Sequence, residues 1–521
     1  MRLDRELLFD RLWMAVEACP YLARIIPAEY KDLQRGDIPF FSTFPNSLHV
    51  WTSTNQCIPD LIDQPSLSIV EGKLRSLSEG NLSLQRWLIR ASLATAGPAN
   101  GLVPRQPNPT ADSPQSSFDR DKVLGAACAV ADRLESLAIC WDESASWINL
   151  TAVDERRWSI TPSLLDLYDG LPGIALFLAY VGHITGKNRY SDLAHKTCNT
   201  VLRRLEEYKS IDRRIGAFAG WGGLIYAFTH LGSLWQEAGL LDKAEGMIQG
   251  LPGLITGDEA FDIIEGSAGC IGTLIASYRQ RRSPQTLAAA KACGEHLIAN
   301  AKSMPNGVGW IIPKQTVPLA GFAHGAAGVA WALHQLYDLT GEEIFRKAAA
   351  EAIAYESTLF DPEEGNWRDL RTSNASSVQG NHSSMSAWCH GATGIGLSRL
   401  ATLEKHPDDQ VAQEVDTSLK TTIWAGLGHN HSLCHGDLGN IDLLLQTSRV
   451  LKSERWNREA QRVASSVAQS IFQNEYRCGT PLNVDSPGLM TGLAGIGYGL
   501  LRVAEPERVP SVLTLQPVFE A

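Results

Sequence analysis

Seven Gly-x-x-Gly pairs, each opening an apolar stretch, divide most of the chain into similar pieces and constrain its fold. The pairs are Gly170/Gly173, Gly220/Gly223, Gly266/Gly269, Gly325/Gly328, Gly391/Gly394, Gly436/Gly439 and Gly492/Gly495. They follow one another at intervals of 45 to 66 residues, close to the length of a two-helix repeat. The sequence therefore predicts a helical repeat protein.

Two kinds of helical segment alternate along these repeats. The stretch that opens at each pair, such as GIALFLAYVGHIT from Gly173, is almost wholly apolar and predicts an inner helix. The segments between them have charged faces and a period of 3.6 residues, which predicts outer helices. Outer segments of this kind cover residues 119–140, 190–208, 286–301, 344–360, 409–424 and 457–475.

We expect an all-α fold, an α/α toroid of seven inner and seven outer helices, with a short, mostly helical N-terminal segment. Small glycine pairs allow the starts of the inner helices to crowd around a central axis. The alternative is an open helical solenoid, whose concave face is usually more polar than these inner helices. The apolar inner helices favour the closed ring.

A break in composition separates the N-terminal segment from the repeats. The stretch GPANGLVPRQPNPTADSPQSS, which begins at Gly97, is rich in Pro, Gly, Asn and Ser and predicts a linker. We expect three regions: residues 1–96, with helical patterns at 7–19, 66–77 and 83–94, a linker over 97–118, and the repeats over 119–521.

Composition argues against some classes of function. The 46 Lys and Arg against 57 Asp and Glu give a net charge of −11, which does not favour a nucleic-acid partner. The N-terminal residues MRLDRELLFDRLW lack an apolar signal core, and no stretch approaches the ~18 apolar residues of a membrane span. The ten cysteines are scattered, as in proteins with reduced thiols. We predict a cytoplasmic protein with no transmembrane segment.

Residues that can bind a metal precede two consecutive glycine pairs, in WCHGATG (388–394) and LCHGDLG (433–439). Cys389 and Cys434 are one repeat apart and should lie in equivalent loops at the same end of the ring. Catalytic zinc sites typically use three Cys or His ligands and an open fourth position. Spacing alone does not decide whether His390 or His435 is the third ligand, and the other would be an acid, a base or a supporting group. Alternatively, both cysteines are small buried residues packed against the glycine turns.

A histidine and a carboxylate from earlier repeats belong to the same end of the ring. His324, in AHGAAG, is one repeat before Cys389 and could donate or accept a proton near neutral pH. Asp262, in FDIIEGSAG, could act there together with Glu265, or could instead cap a helix.

These motifs resemble the lanthionine synthetase C-like cyclases, and specifically the cyclase domain of class II lanthipeptide synthetases. The resemblance covers roughly residues 119–504. It depends on DLYDGLPGIALFLAY, FDIIEGSAG, GFAHGAAGVAWAL, WCHGATGIGLSRL, LCHGDLGN and GLMTGLAGIGYGLL, in the family's order. It implies a zinc-binding toroid that closes lanthionine and methyllanthionine thioether rings. In that reaction Cys thiols add to dehydroalanine or dehydrobutyrine in a precursor peptide, which consists of a leader and a dehydrated core.

The resemblance also implies roles for individual residues. Cys389, Cys434 and His435 would bind Zn²⁺. His324 would protonate the enolate, with Asp262 as its supporting carboxylate.

Two positions near the first predicted zinc ligand vary within the family. His390 follows Cys389 where the family has Tyr or His, and is a further catalytic candidate. Met385 occupies the position where some free-standing cyclases have Arg, so the role of that Arg has no assigned counterpart.

The N-terminal segment has a resemblance of its own. DLQRGDIPFFST (32–43) and LSLQRWLIRASL (82–93) resemble the C-terminal end of a class II dehydratase domain. A truncated or split synthetase is therefore expected, unable to dehydrate Ser or Thr by itself, and a separate dehydratase chain is a candidate partner.

Two alternative functions remain. A glycoside hydrolase would need paired carboxylates, for which Asp262, Glu265 and Asp437 could be proposed, but it leaves the matched cysteines unexplained. A non-catalytic zinc-binding scaffold or adaptor, left from a truncated synthetase, would keep the metal without the chemistry.

Overall fold

The computed structural model describes residues 10–17, 19–96, 118–154, 157–207, 213–371 and 384–519. The chain divides into two compact units, Met1–Trp87 and Leu88–Ala521. The linker predicted over 97–118 lies, except for Phe118, outside the described residues. The helical pattern at 7–19 also lies partly outside them.

The first unit combines helices with a small sheet. A short 3₁₀ helix (Pro20–Arg24) is followed by α1 (Ile26–Arg35), α2 (Ser66–Arg75) and α3 (Glu79–Ala96), and α3 contains the boundary between the units. Between α1 and α2, three short antiparallel strands pair in the order β1 (Phe41–Ser42), β2 (Val50–Thr52) and β3 (Cys57–Ile58). Helices α2 and α3 match the predicted patterns at 66–77 and 83–94. The sheet was not predicted, because strands of two or three residues are too short to show alternation.

Inner and outer helices alternate through the described part of the second unit. The inner helices are α5 (Leu171–Thr185), α7 (Trp221–Trp235), α10 (Ser267–Gln280), α12 (Ala326–Thr340), α14 (Ala392–Lys405), α16 (Asp437–Leu451) and α18 (Leu493–Ala504). The outer helices are α4 (Arg120–Leu137), α6 (Asn188–Glu207), α8 (Ala238–Gly250), α11 (Pro284–Asn300), α13 (Glu343–Ser357), α15 (Asp409–Ala425) and α17 (Glu454–Phe472). A one-turn helix, α9 (Pro252–Ile255), follows α8.

The inner helices form a closed ring. Each one contacts the next inner helix along the chain, and the last, α18, contacts the first, α5. The first outer helix, α4, packs against α18, so the two ends of the repeat array meet. The predicted α/α toroid is confirmed, and the open solenoid is excluded because its terminal repeats would not touch.

Short hairpins connect some of these helices. They pair β4 (Ile139–Trp141) with β5 (Ser144–Ser146), β6 (Ile148–Ala152) with β7 (Trp158–Pro162), β8 (Lys302–Ser303) with β9 (Val308–Gly309), and β10 (Phe360–Asp361) with β11 (Asn366–Trp367). The outer helix predicted over 119–140 therefore ends at Leu137, because β4 begins two residues later. None of the helices described is both long and apolar enough to cross a membrane.

Within the C-terminal segment (residues 505–519), residues 509–515 are buried. Its carbonyl oxygens accept hydrogen bonds from aromatic side chains that belong to different repeats. The donors are Tyr226 Oη to Gln516 (2.8 Å), Tyr498 Oη to Pro510 (2.9 Å) and Trp388 Nε1 to Leu513 (3.1 Å). The segment thus ties together repeats that are distant in sequence.

Candidate metal and catalytic site

The seven loops that precede the inner helices are joined in a ring by backbone hydrogen bonds. In each loop the participating residues lie two or three positions before the first glycine of the pair. The bonds run from Ala323 N to Cys389 O (3.2 Å), Cys389 N to Cys434 O (3.4 Å), Cys434 N to Met490 O (2.9 Å), Met490 N to Tyr168 O (2.7 Å), Tyr168 N to Phe218 O (3.0 Å), Phe218 N to Ile264 O (3.1 Å) and Ile263 N to Ala323 O (3.1 Å). Equivalent positions of neighbouring repeats are therefore side by side, as the glycine spacing predicts.

Cys389 and Cys434 meet at this ring. Both are buried, with 8% and 4% of their surface exposed, and their thiols hydrogen-bond to each other. That bond is the main reason that the pKa of Cys389 is lowered, with the charge of Arg371 contributing, while the bond and burial raise the pKa of Cys434 well above its usual value. Within the pair, Cys389 is therefore the more acidic thiol and Cys434 the less acidic one.

His435 follows Cys434 directly, and its imidazole hydrogen-bonds to the backbone of Gly479. Burial is the main cause that lowers the pKa of His435, which favours the neutral form that binds metals. Among the residues described, no group of three or more His, Cys, Asp or Glu side chains is arranged to hold a metal ion. The structure thus brings two of the three predicted zinc ligands, Cys389 and Cys434, into contact, and His435 follows Cys434 in the same loop. Two adjacent sulfurs and a neutral imidazole nearby in the chain still match the ligand chemistry that zinc prefers.

His324 and Asp262 form a hydrogen-bonded pair in the neighbouring loops. Nδ1 of His324 lies 2.6 Å from Oδ2 of Asp262, and only 4% of the aspartate side chain is exposed. Burial lowers the pKa of His324, but the charge of Asp262 and the hydrogen bond to it outweigh burial, so the net pKa is raised. Oδ1 of Asp262 also accepts a hydrogen bond from Glu265 N (2.8 Å), within the turn before α10. The N-cap of α10 is Gly266, without a side-chain capping bond, so Asp262 does not cap that helix.

His390 packs against His324. The two rings lie 5.7 Å apart between centroids, at an angle of 27°. Burial, together with the charges of Arg371 and His324, lowers the pKa of His390 to about 3. His390 is therefore neutral across the pH range in which most enzymes work.

The carboxylates proposed for a glycoside hydrolase are occupied elsewhere. Glu265 forms an ion pair with Arg214 (2.7 Å). Asp437 accepts a hydrogen bond from Gly428 N (2.6 Å) and lies 3.0 Å from Nδ1 of the buried His431. Both carboxylates therefore already have polar partners of their own.

Three residues beside the thiols were not among the predicted site residues. The hydroxyl of Tyr168 donates a hydrogen bond to Sγ of Cys434 (2.9 Å), and Asp169 follows it in the same loop. Arg371 forms an ion pair with Asp369 (2.6 Å) and reaches within 4.0 Å of Sδ of Met385.

The sequence contains a signal for Tyr168 and Asp169. Tyr168 and Asp169 stand in DLYDGLPG at the same offsets from the glycine pair as Cys434 and His435 do in LCHGDLG. Arg371 lies outside any repeated motif, so no comparable signal points to it.

Comparison with known proteins gives three findings. Residues 161–514 match the family model described as "Lanthionine synthetase C-like protein". The lacticin 481/lactococcin biosynthesis protein LcnDR2 of Lactococcus lactis subsp. lactis is 28% identical over 199 residues, which cover 35% of this chain and 20% of that protein. Nisin cyclase has a similar structure, with a TM-score of 0.54 and 19% identity over 67% of this chain and 92% of the other. At that identity the structural likeness shows the fold alone. The chain spans about one fifth of the length of LcnDR2.

Proposed function

The chain belongs to the lanthionine synthetase C-like family, and on that premise we propose that it is a zinc-dependent peptide cyclase. It would form lanthionine and methyllanthionine rings by adding Cys thiols to dehydroalanine or dehydrobutyrine in a precursor peptide. The observation that carries the proposal is the buried Cys389–Cys434 pair, in the loop ring that also contains the His324–Asp262 pair. Thiol chemistry and a proton donor are thus available at one end of the toroid.

Cys389, Cys434 and His435 would hold the zinc ion. When bound, zinc would supply the charge that deprotonates a peptide thiol near neutral pH, since a free cysteine has a pKa of about 8.5. Because the two protein sulfurs are anionic ligands, the peptide sulfur would remain electron-rich and nucleophilic. In this ligand set His390, the histidine of the first Cys-His motif, does not bind zinc and must have another role.

His324 is the proposed proton donor. Attack of the thiolate on the β-carbon of the dehydroamino acid produces an enolate, whose α-carbon must then take up a proton. The bond from Nδ1 of His324 to Asp262 leaves Nε2 as the nitrogen that can deliver it. Asp262 raises the pKa of the imidazole, which favours its protonated form, and a positioned acid of this kind contributes roughly 10²–10⁴-fold in rate.

His390 is better suited to positioning than to proton transfer. With a pKa of about 3, His390 is not an imidazolium at neutral pH and so lacks the acidic proton that a donor needs. Its ring packs against that of His324 and would hold the donor in place.

The substrate would be a peptide that already contains dehydroamino acids. A dehydratase has to supply them, and a separate dehydratase chain stays a prediction, as does the cytoplasmic location. The N-terminal unit resembles the end of a dehydratase domain, so it is the candidate region of this chain for binding such a partner.

Incubation with a predehydrated precursor peptide tests the activity. Ring formation leaves the peptide mass unchanged, so free thiols are alkylated afterwards and counted by mass spectrometry. We expect the wild-type protein to remove the free thiols. We expect His324→Ala to keep bound zinc but to slow this loss by about 10²-fold or more. His195→Ala, a half-exposed histidine on α6, is the matched control and should behave as wild type.

Zinc-loaded wild-type protein that leaves every peptide thiol free to alkylation would contradict the proposal. That result would support the non-catalytic scaffold instead.

A further inference from the structure

The loop before α5 contributes a side chain to the thiol pair, although the predicted site does not include it. Tyr168 is 266 residues away from Cys434 in sequence, and its hydroxyl lies 2.9 Å from Sγ of that residue. The contact exists because the ring of loops closes, with only the Met490 loop between the two.

The backbone and ring of Tyr168 are held in place. Its carbonyl accepts from Met490 N (2.7 Å) and its amide donates to Phe218 O (3.0 Å). Its ring packs edge-on against Phe218, with 6.4 Å between centroids. The hydroxyl therefore points at Cys434 from a side chain with little freedom to move.

Asp169 fixes the loop that lies between Tyr168 and Cys434. Its carboxylate accepts hydrogen bonds from Thr491 Oγ1 (2.7 Å), Thr491 N (3.0 Å) and Met490 N (3.2 Å). The carbonyl of Met490 in turn accepts from Cys434 N (2.9 Å). The loop of Tyr168 and Asp169 thus contacts both the sulfur of Cys434 and the backbone segment that supports it.

We propose that Tyr168 is a positioning residue for Cys434 as a metal ligand, an inference that rests on the proposed function. Its hydroxyl donates a hydrogen bond to the sulfur. Once Cys434 is a thiolate, the bond becomes charge-assisted and therefore stronger than one between neutral groups. The bond orients the sulfur and withdraws part of its negative charge. Groups that hydrogen-bond to metal ligands in this way typically change metal affinity 10- to 100-fold.

Tyr168→Phe tests this inference, because it removes the hydroxyl and keeps the ring. Zinc affinity is measured by competition with a chromophoric chelator, and the cobalt(II)-substituted protein is measured for its thiolate-to-cobalt absorption band. We expect zinc affinity to fall about 10-fold and the cobalt band to shift.

Tyr226→Phe is the matched control. It removes a hydroxyl that donates to the Gln516 carbonyl within the same ring, away from the thiols. We expect wild-type zinc affinity and an unshifted cobalt band in this variant. The melting temperature of the metal-free proteins shows whether each variant folds.

Each other outcome overturns the inference. Tyr168→Phe with wild-type affinity and spectrum would show that the hydroxyl does not act on the ligand. Equal losses in both variants, or failure of Tyr168→Phe to fold, would show that the hydroxyl serves the fold in general. Wild-type protein that binds no zinc would instead refute the zinc dependence in the proposed function, so the two failures are distinguishable.

Discussion

Each of the two buried cysteines changes the chemistry of the other. Their contact lowers the pKa of Cys389 and raises that of Cys434. A metal that binds both as thiolates has to displace their protons, and its affinity should therefore rise with pH.

The His324–Asp262 pair leads to a prediction about pH. Asp262 raises the pKa of His324, so in the wild-type protein the protonated donor persists to a higher pH. Asp262→Asn removes that charge and should lower the pKa of His324. The rate of cyclisation should then begin to fall, as pH rises, at a lower pH than in wild type. The measurement is kcat against pH with a predehydrated peptide.

Glu265→Gln is the control for this experiment. Its carboxylate has a smaller influence on His324 and is paired with Arg214, so the alkaline limb should move little. An alkaline limb at the same pH in Asp262→Asn and wild type would argue against His324 as the proton donor.

At the scale of residues, the sequence predicted which positions of different repeats lie side by side, but it did not predict the side-chain contacts across the ring. The offsets of Cys389, Cys434 and His324 from their glycine pairs place them at one end of the ring. The bond of Tyr168 to Cys434 depends on how the first and last repeats meet, which no local pattern encodes. The hydrogen bond of His435 to the Gly479 backbone depends on a loop that has no repeated motif.

The inner helices begin close together because the second glycine of each pair has no side chain. A Cβ on Gly394 would lie 2.0 Å from the carbonyl oxygen of Trp388 and 2.7 Å from Cβ of Phe322 in the preceding loop. One of these atoms belongs to the backbone of its own loop and the other to the neighbouring repeat, so neither can shift easily to make room for a methyl group. The loop ring that contains the candidate site therefore depends on this glycine.

Gly394→Ala should accordingly destabilise the protein, by about 3 kcal/mol, which is within the range for overpacked cores. Gly246→Ala, on the exposed face of α8 with no atom near its would-be Cβ, should instead stabilise by about 0.5–1 kcal/mol, because alanine favours the helix. Denaturant unfolding of both variants measures the two changes. Equal changes in the free energy of unfolding of the two variants would show that crowding at the loop ring does not restrict the side chain at residue 394.

At the scale of elements, the inner helices were easier to predict than their connections. Continuous apolar stretches after each glycine pair correspond to the seven inner helices. The outer helix α8 was not among the segments named from sequence, because Gly239, Gly246 and Gly250 weaken its helical pattern. The outer helix predicted over 119–140 includes the first two residues of β4, since a three-residue strand gives no clear alternation.

The second unit is closed in two ways. Helix α4 packs against α18, and the C-terminal segment bonds to side chains from several repeats. Tyr226, Trp388 and Tyr498 are buried, and among the described residues each donates to a carbonyl oxygen of that segment. The sequence did not predict this arrangement, because the segment has no helical period and its partners are far away.

Truncation after Pro506 should therefore lower the free energy of unfolding substantially. Each of the three aromatic donors would lose its partner, at about 1–3 kcal/mol per buried group. A shorter truncation that removes only residues 518–521 keeps all three acceptors and is the control. Thermal and denaturant unfolding should separate the two, and equal stability would mean that the segment does not hold the ring together.

The central claim, that Cys389 and Cys434 bind the metal on which thiol addition depends, is tested most directly by zinc content. The measurement is metal analysis of purified wild type, Cys389→Ala, Cys434→Ala and Cys198→Ala. Cys198 is a buried thiol on α6 whose pKa burial raises to about 12, and it serves as the control. We predict about one zinc per chain in wild type and in Cys198→Ala, and loss of zinc in the other two variants. Full zinc in Cys389→Ala and Cys434→Ala would contradict the account.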